Sequence, residues 1–337
     1  MNYIGSKVKL LDFLFDSIND ILLKNNINLE QCTFIDLFAG TSAVGKKFKN
    51  RVKKIISNDK EFYSFVLAKN YIENTMKIDR EKELIEKLNN IAKTNPIKGK
   101  IYKHYALGGG ENRQYFSDEN ALKIDSIRTQ IAKWKVEHFI NEQEYYFLLA
   151  SLLETADKVA NTASVYGAFL KKLKETANKS MNLVSAEFEV SQNRHLVFNS
   201  NSNELIKKIK GDILYLDPPY NSREYGANYH LLNTIALYDD FIPKGITGLR
   251  NYEKSNWCKK KLVYQTLDDL IKHSRVKFVF LSYNDEGLLD FNDIKQIFEK
   301  YGEYDYIKQD YQRYKSDSSR NQKQNKTTEY LHILKII

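Results

Sequence analysis

Four consecutive residues, Asp217-Pro218-Pro219-Tyr220, follow the apolar run Ile213-Leu214-Tyr215-Leu216. The chain holds 4 prolines, and two of them stand here side by side. Paired prolines fix φ and remove two backbone donors, leaving carbonyls that only accept. A carboxylate, rigid acceptors and an aromatic ring are thus gathered at the end of a buried strand, where ligands bind in parallel sheets. That set suits an exocyclic amine as nucleophile. The lone pair of adenine N6 is delocalised into the ring and attacks poorly. If Asp217 and the Pro218 carbonyl accept both amine hydrogens, the lone pair leaves conjugation and is aimed at a methyl sulfonium. Tyr220 offers a stacking face for a base swung out of the duplex, worth ~1–3 kcal/mol. A plain strand with a diproline turn would explain neither the acid nor the ring.

A second candidate is Phe34-Ile35-Asp36-Leu37-Phe38-Ala39-Gly40-Thr41-Ser42-Ala43-Val44-Gly45. Gly40 lets backbone approach a ligand closely, and Asp36 is placed to accept from a ligand amine. Asp59, ending the next strand, has the position of an acid that binds ribose hydroxyls. Gly40 to Lys47 also comes near the phosphate-binding loop GxxxxGK[ST]. That match fails at the metal, because Lys47 stands where a hydroxyl must bind Mg²⁺. Asp36 would also repel phosphate, and the diproline has no part in an NTPase.

The elements that must position these groups follow from periodicity. Residues 8–24 read as an amphipathic helix, with Leu10, Leu11, Leu14, Ile18, Ile21 and Leu22 at helical spacing. Strands are expected at Thr33–Leu37 and Ile55–Ser57, which makes strand, glycine turn, helix, strand: the opening of a doubly wound α/β sheet. From about 76 to 190 the chain reads mostly as helix, including 117–134 and 141–174, around a glycine-rich piece at 107–113. Strands resume at His195–Asn199, Ile213–Leu216 and Lys277–Tyr283. Helix 291–301 and an antiparallel pair, 304–314 and 329–337, close the pattern. The expected architecture is α/β, a Rossmann-like sheet over 1–75 and 191–337 interrupted by a helical insertion over 76–190.

Bulk composition narrows the class. An apolar content of 42% excludes a mainly disordered chain. No apolar run nears the ~20 residues of a membrane span, and no signal peptide opens the sequence, so a soluble, cytoplasmic protein without a membrane role is expected. Cys32 and Cys258 form no CxxC pair, and the 6 histidines lack metal-ligand spacing. No metal is expected. The net charge of +9 points towards nucleic acid, through Lys171, Lys172, Lys174, the run Lys259 to Lys261, and Arg313, Arg320, Lys323 and Lys326. A non-catalytic DNA-binding module would share that charge but has no use for both the glycine turn and the diproline.

At these residues the chain resembles the D12-type, or α-group, adenine-N6 DNA methyltransferases. Tyr3-Ile4-Gly5-Ser6-Lys7 is similar to the family's amino-terminal cofactor motif, DLFAGTSAVG to its glycine motif, Asp59 to its ribose acid, and Asp217 to Tyr220 to its catalytic motif. They stand in family order, with a target-recognition insertion between Asp59 and Asp217. Segments with Tyr115-Phe116 and with Asn161 to Gly167 look closest to the FokI-type branch. The resemblance implies S-adenosylmethionine bound by Tyr3, Ser6, Lys7, Asp36, Phe38, Gly40, Thr41, Ser42 and Asp59. It implies catalysis by Asp217, Pro218, Pro219 and Tyr220 on double-stranded DNA, and a cognate restriction endonuclease as partner. One departure is Asn199-Ser200-Asn201-Ser202-Asn203, where the family often has an acid that reads the cofactor adenine; Asn201 is the substitute acceptor. Cytosine C5 transfer is disfavoured, since it needs an activated cysteine. Cytosine N4 needs the same acceptors, although such members usually carry Ser at the place of Asp217, and RNA methyltransferases share the sheet.

Overall fold

The structure, a computed structural model, describes residues 7–312 and 326–337. Seven strands form one sheet: β1 (Thr33–Asp36), β2 (Lys54–Asn58), β3 (Leu196–Phe198), β4 (Ile213–Leu216), β5 (Phe278–Asn284), β6 (Gly302–Gln312) and β7 (Lys326–Ile336). Their order is β3-β2-β1-β4-β5-β7-β6. The first five neighbours pair in parallel, and β7 pairs antiparallel with both β5 and β6.

That order follows from the residues. β4 and β5 are buried along their whole length, as parallel strands covered on both faces must be, and so read as apolar runs without alternation. Ile35, Leu214, Leu216, Val279 and Leu281 pack with Leu267, Ile271, Ile294 and Ile297 in one core. From β1 the chain steps outward to β2 and β3, then returns to lay β4 on the other side of β1. Strand order therefore reverses between β1 and β4, the place where ligands bind in such sheets. Asp36 ends β1, and Asp217 directly follows β4. The expected strands all form among the described residues, with ends shifted by up to three residues.

The helices make a second compact unit, Lys69–Val190 together with Tyr225–Glu253. The sequence reading put the latter stretch with the sheet. It joins the helices because His230–Leu237 is apolar and almost wholly buried. Arg128, 5% exposed, donates to the carbonyls of Ile235, Ala236 and Leu237 (2.9, 3.0 and 3.3 Å), closing that helix's C-terminus. A ring cluster of Tyr105, Tyr115, Tyr166 and Tyr229, each fully buried, fills the interior. Tyr115 and Phe116 are thus packing residues here. The helix expected over 141–174 instead runs Glu142–Val159. Asn161 ends it. Its amide group donates to Gln114 and Leu170, and its carbonyl accepts from the Lys174 amide. These bonds fold 160–174 back as a loop, the competition that a short polar side chain offers to a helix.

Replacing Arg128 with Met keeps the aliphatic stem and removes the donors from three buried carbonyls. The variant should lose about 2–3 kcal/mol, visible as an earlier helical melt by circular dichroism. A melt within a degree of wild type would mean that the carbonyls find other partners.

Candidate active site

The glycine turn is held by its neighbours. Gly40 has φ +51 and Ser42 has φ +61, both left-handed. Glycine tolerates this freely, whereas serine does so at a cost of roughly 1–2 kcal/mol. The turn is fastened on both sides. Asp59 accepts from the amides of Gly40 and Glu61, each at 2.8 Å, and Ser64 donates to the Gly40 carbonyl. Asn58, 1% exposed, donates to the Leu37 and Ser200 carbonyls and accepts from the Ser200 amide. One side chain therefore ties β1, β2 and the loop after β3 together.

Three acids gather at this edge. Asp36 is 1% exposed, and neither oxygen has a hydrogen-bond partner of ordinary geometry among the described residues. Burial, then the charges of Asp217 and Asp59, push it up to about 8, with only the Gly45 amide pulling the other way. Burial also raises Asp59 against the pull of its amide donors. Asp217 is raised to about 6 by burial, opposed by Lys7 and reinforced by Glu329. An acid with a value near 6 is a better proton acceptor than an ordinary aspartate.

Lys7 comes to this edge from the first turn of the described chain. Its ammonium lies 3.2 Å from Asp217 Oδ1 and 2.7 Å from Glu329 Oε1. Burial alone would lower its pKa, but the two carboxylates outweigh burial and hold it well above the usual range. Ser282 on β5 donates a short hydrogen bond to Glu329 Oε1. The sequence reading did not single out Glu329 or Ser282. They lie far along the chain, and no local pattern marks them.

The remaining expected residues are distributed around these acids. Pro218 is buried, while Pro219 and Tyr220 are partly exposed. The Tyr220 carbonyl accepts from the Leu288 amide at 2.9 Å, which anchors the loop. Phe38 meets Trp257 edge to face at 5.1 Å, and the Trp257 indole donates to Ser202. Trp257 was missed, although it is one of only 2 tryptophans. Thr41 is partly exposed beside the buried Ser42, whose hydroxyl has no partner among the described residues. Asn201 is exposed and caps the helix Ser202–Ile206 by accepting from the Asn203 amide. Tyr3 and Ser6 lie outside the described residues, as do Arg313, Arg320 and Lys323.

The geometry disposes of two rival chemistries. Lys47, where a phosphate loop needs a metal-binding hydroxyl, is instead drawn 2.6 Å from Asp12. Burial pushes the thiols of Cys32 and Cys258 up to about 11 and about 12, the reverse of an activated nucleophile. Among the described residues no group of three or more His, Cys, Asp or Glu could hold a metal, and no helix is long and apolar enough to cross a membrane. Lys171, Lys172 and Lys259 to Lys261 are exposed, whereas Lys174 donates to the Thr162 carbonyl.

Acids at both sides of the strand reversal, beside a glycine turn and an acceptor-rich diproline, define a Rossmann-like methyltransferase. The chain belongs to the D12 class N6 adenine-specific DNA methyltransferases, whose sequence model matches residues 3–297. It is 54% identical to the type II methyltransferase M.NlaIII of Neisseria lactamica over 99% of both chains. It is 37% identical to M.CviAII of Paramecium bursaria Chlorella virus 1, covering 95% of this chain and 94% of that one. With M.FokI of Planomicrobium okeanokoites it shares 38% identity over 94% of its own length and 50% of the relative's. The protein is a DNA adenine methyltransferase.

Ser42 combines a left-handed backbone with a buried hydroxyl that has no partner among the described residues, so Ser42→Gly should remove two costs. The variant should be as stable as wild type or up to about 1 kcal/mol more stable, measured from its denaturant midpoint. A loss of more than about 1 kcal/mol would reveal a bond made by the hydroxyl.

Proposed function

We propose that this protein is the modification enzyme of a restriction-modification system and transfers a methyl group from S-adenosylmethionine to adenine N6 within a specific duplex site. The observation that carries the cofactor assignment is Asp36: a buried carboxylate whose oxygens have no hydrogen-bond partner of ordinary geometry among the described residues calls for a cation. The methionine ammonium of S-adenosylmethionine fits that need. Asp59, held by the Gly40 and Glu61 amides, is the acid for the ribose hydroxyls, and Phe38, Gly40, Thr41 and Ser42 line the turn between the acids. Asn201 is the acceptor for the adenine amine, in addition to its cap. Tyr3 and Ser6 complete the cofactor site by resemblance. When bound, the cofactor supplies an electrophilic methyl on its sulfonium.

Asp217 Oδ1 faces Lys7 at 3.2 Å, so Oδ2 is the oxygen offered to the target amine. It accepts one N6 hydrogen while the Pro218 carbonyl accepts the other, which frees the lone pair. After transfer the cationic nitrogen gives up its proton readily, and a carboxyl with a value near 6 can take it. Tyr220 stacks on the flipped adenine. The helical unit reads the target, with the exposed lysines gripping phosphates. M.NlaIII and M.FokI carry the type II name, which supports a partner endonuclease for this chain too.

Asp217→Ala should cut methyl transfer to DNA by roughly 10²–10⁴-fold while cofactor affinity changes far less. In the wild type the transfer rate should fall as pH drops through about 6, because protonating Asp217 removes the acceptor. Tritium transfer with nucleoside analysis reads both, and N6-methyladenine made by Asp217→Ala at near wild-type rate would sink the assignment.

Asp36 gives a separate test. With a value of about 8 it carries a proton at pH 7 in the free protein. An arriving ammonium favours the carboxylate, so the proton must leave. Calorimetry with S-adenosylhomocysteine in buffers of different ionisation enthalpy should therefore show close to one proton released at pH 7. Affinity should rise with pH and level off above about 8. No proton release, with tight binding, would remove Asp36 from the site.

A further inference from the structure

We propose that Glu329 is a positioning residue for methyl transfer: by sharing Lys7 with Asp217 it keeps the lysine from closing on the aspartate, and so leaves one Asp217 oxygen unengaged. This rests on the reading of Asp217 as the acceptor for the target amine.

The geometry is that of one cation held between two acids. Lys7 is 6% exposed and Glu329 is 0% exposed, so neither is screened by water. The ammonium sits closer to Glu329 (2.7 Å) than to Asp217 (3.2 Å). Glu329 is fixed in place: it lies on β7 opposite Asn284 of β5, and Ser282, two residues earlier on β5, donates to the same Oε1 that meets Lys7. Burying a second carboxylate is costly unless it has a task.

A lysine facing Asp217 alone would have all three donors and its whole charge to spend there. Full pairing depresses a carboxylate's basicity and engages its oxygens. Shared with Glu329, the same lysine still orients Asp217 through Oδ1 yet takes less of its acceptor strength. A purely structural Glu329 would neutralise Lys7 and nothing more. The two roles differ in what happens to the titration of Asp217. Tyr215, Tyr220 and Asp36 also face this group, and Glu286 adds charge near Tyr220. All of them are unchanged in the test variants.

The experiment measures single-turnover methyl transfer to DNA against pH for wild type, Glu329→Gln, Glu329→Asp, Ser282→Ala and Asp217→Ala. Glu329→Gln keeps the shape and an acceptor but removes the charge. It should lower the plateau rate about 10-fold, less than the 10²–10⁴ of a group that itself meets the substrate. It should also move the acid limb to lower pH, with S-adenosylhomocysteine affinity kept within threefold. Glu329→Asp should bring the limb back towards wild type. If Glu329→Gln does not fold, Ser282→Ala must show a smaller shift in the same direction. An unmoved limb and a rate within twofold of wild type, while Asp217→Ala is dead, would overturn the proposal for Glu329 alone. Activity surviving in Asp217→Ala would instead overturn the catalytic reading beneath it.

Discussion

An excess of buried acid over buried base governs this active site. Asp36, Asp59 and Asp217 converge at the carboxyl edge of the sheet, and Glu329 approaches from β7. Lys7 is the buried cation that pairs with two of them. Like charges this close in a poorly solvated place cannot all be ionised at neutral pH. The fold accommodates them by holding a proton on Asp36, by lending backbone amides to Asp59, and by dividing one lysine between Asp217 and Glu329. Local backbone is bent to the same end. The left-handed Ser42 and the three-way bridge of Asn58 stabilise nothing that a simpler turn could not, but they keep the acids at the point where strand order reverses. The charge balance of this edge is thus acidic, which suits a cationic ligand.

Much of this was legible in the sequence because the information is local. A buried parallel strand announces itself as an apolar run, and the residue that ends it stands at the carboxyl edge of the sheet. Asp36, Asp59 and Asp217 could be placed from that rule alone. The diproline carried its chemistry in its covalent structure, since two missing donors need no tertiary context. Strand ends moved by no more than three residues.

What the sequence concealed is non-local. Lys7 and Glu329 are 322 positions apart, and only the antiparallel insertion of β7 beside β5 brings them together. Trp257 sits in a lysine-rich loop whose pattern looks like plain surface, yet its ring is buried against Phe38. The helix expected to continue to 174 had adequate helix formers. It stops at Val159 because Asn161 satisfies three distant backbone groups, a bargain invisible to periodicity. The stretch Tyr225–Glu253 groups with the helices for a similarly non-local reason. Its helix is completed by Arg128, which stands more than a hundred residues earlier.

The strand order also has a consequence in time. Ribosomes deliver the glycine turn, Asp59 and the diproline long before they deliver β7, and β5 has no edge partner until β7 arrives. The Lys7–Asp217 pair therefore gains its second carboxylate last, when β7 lays Glu329 beside β5.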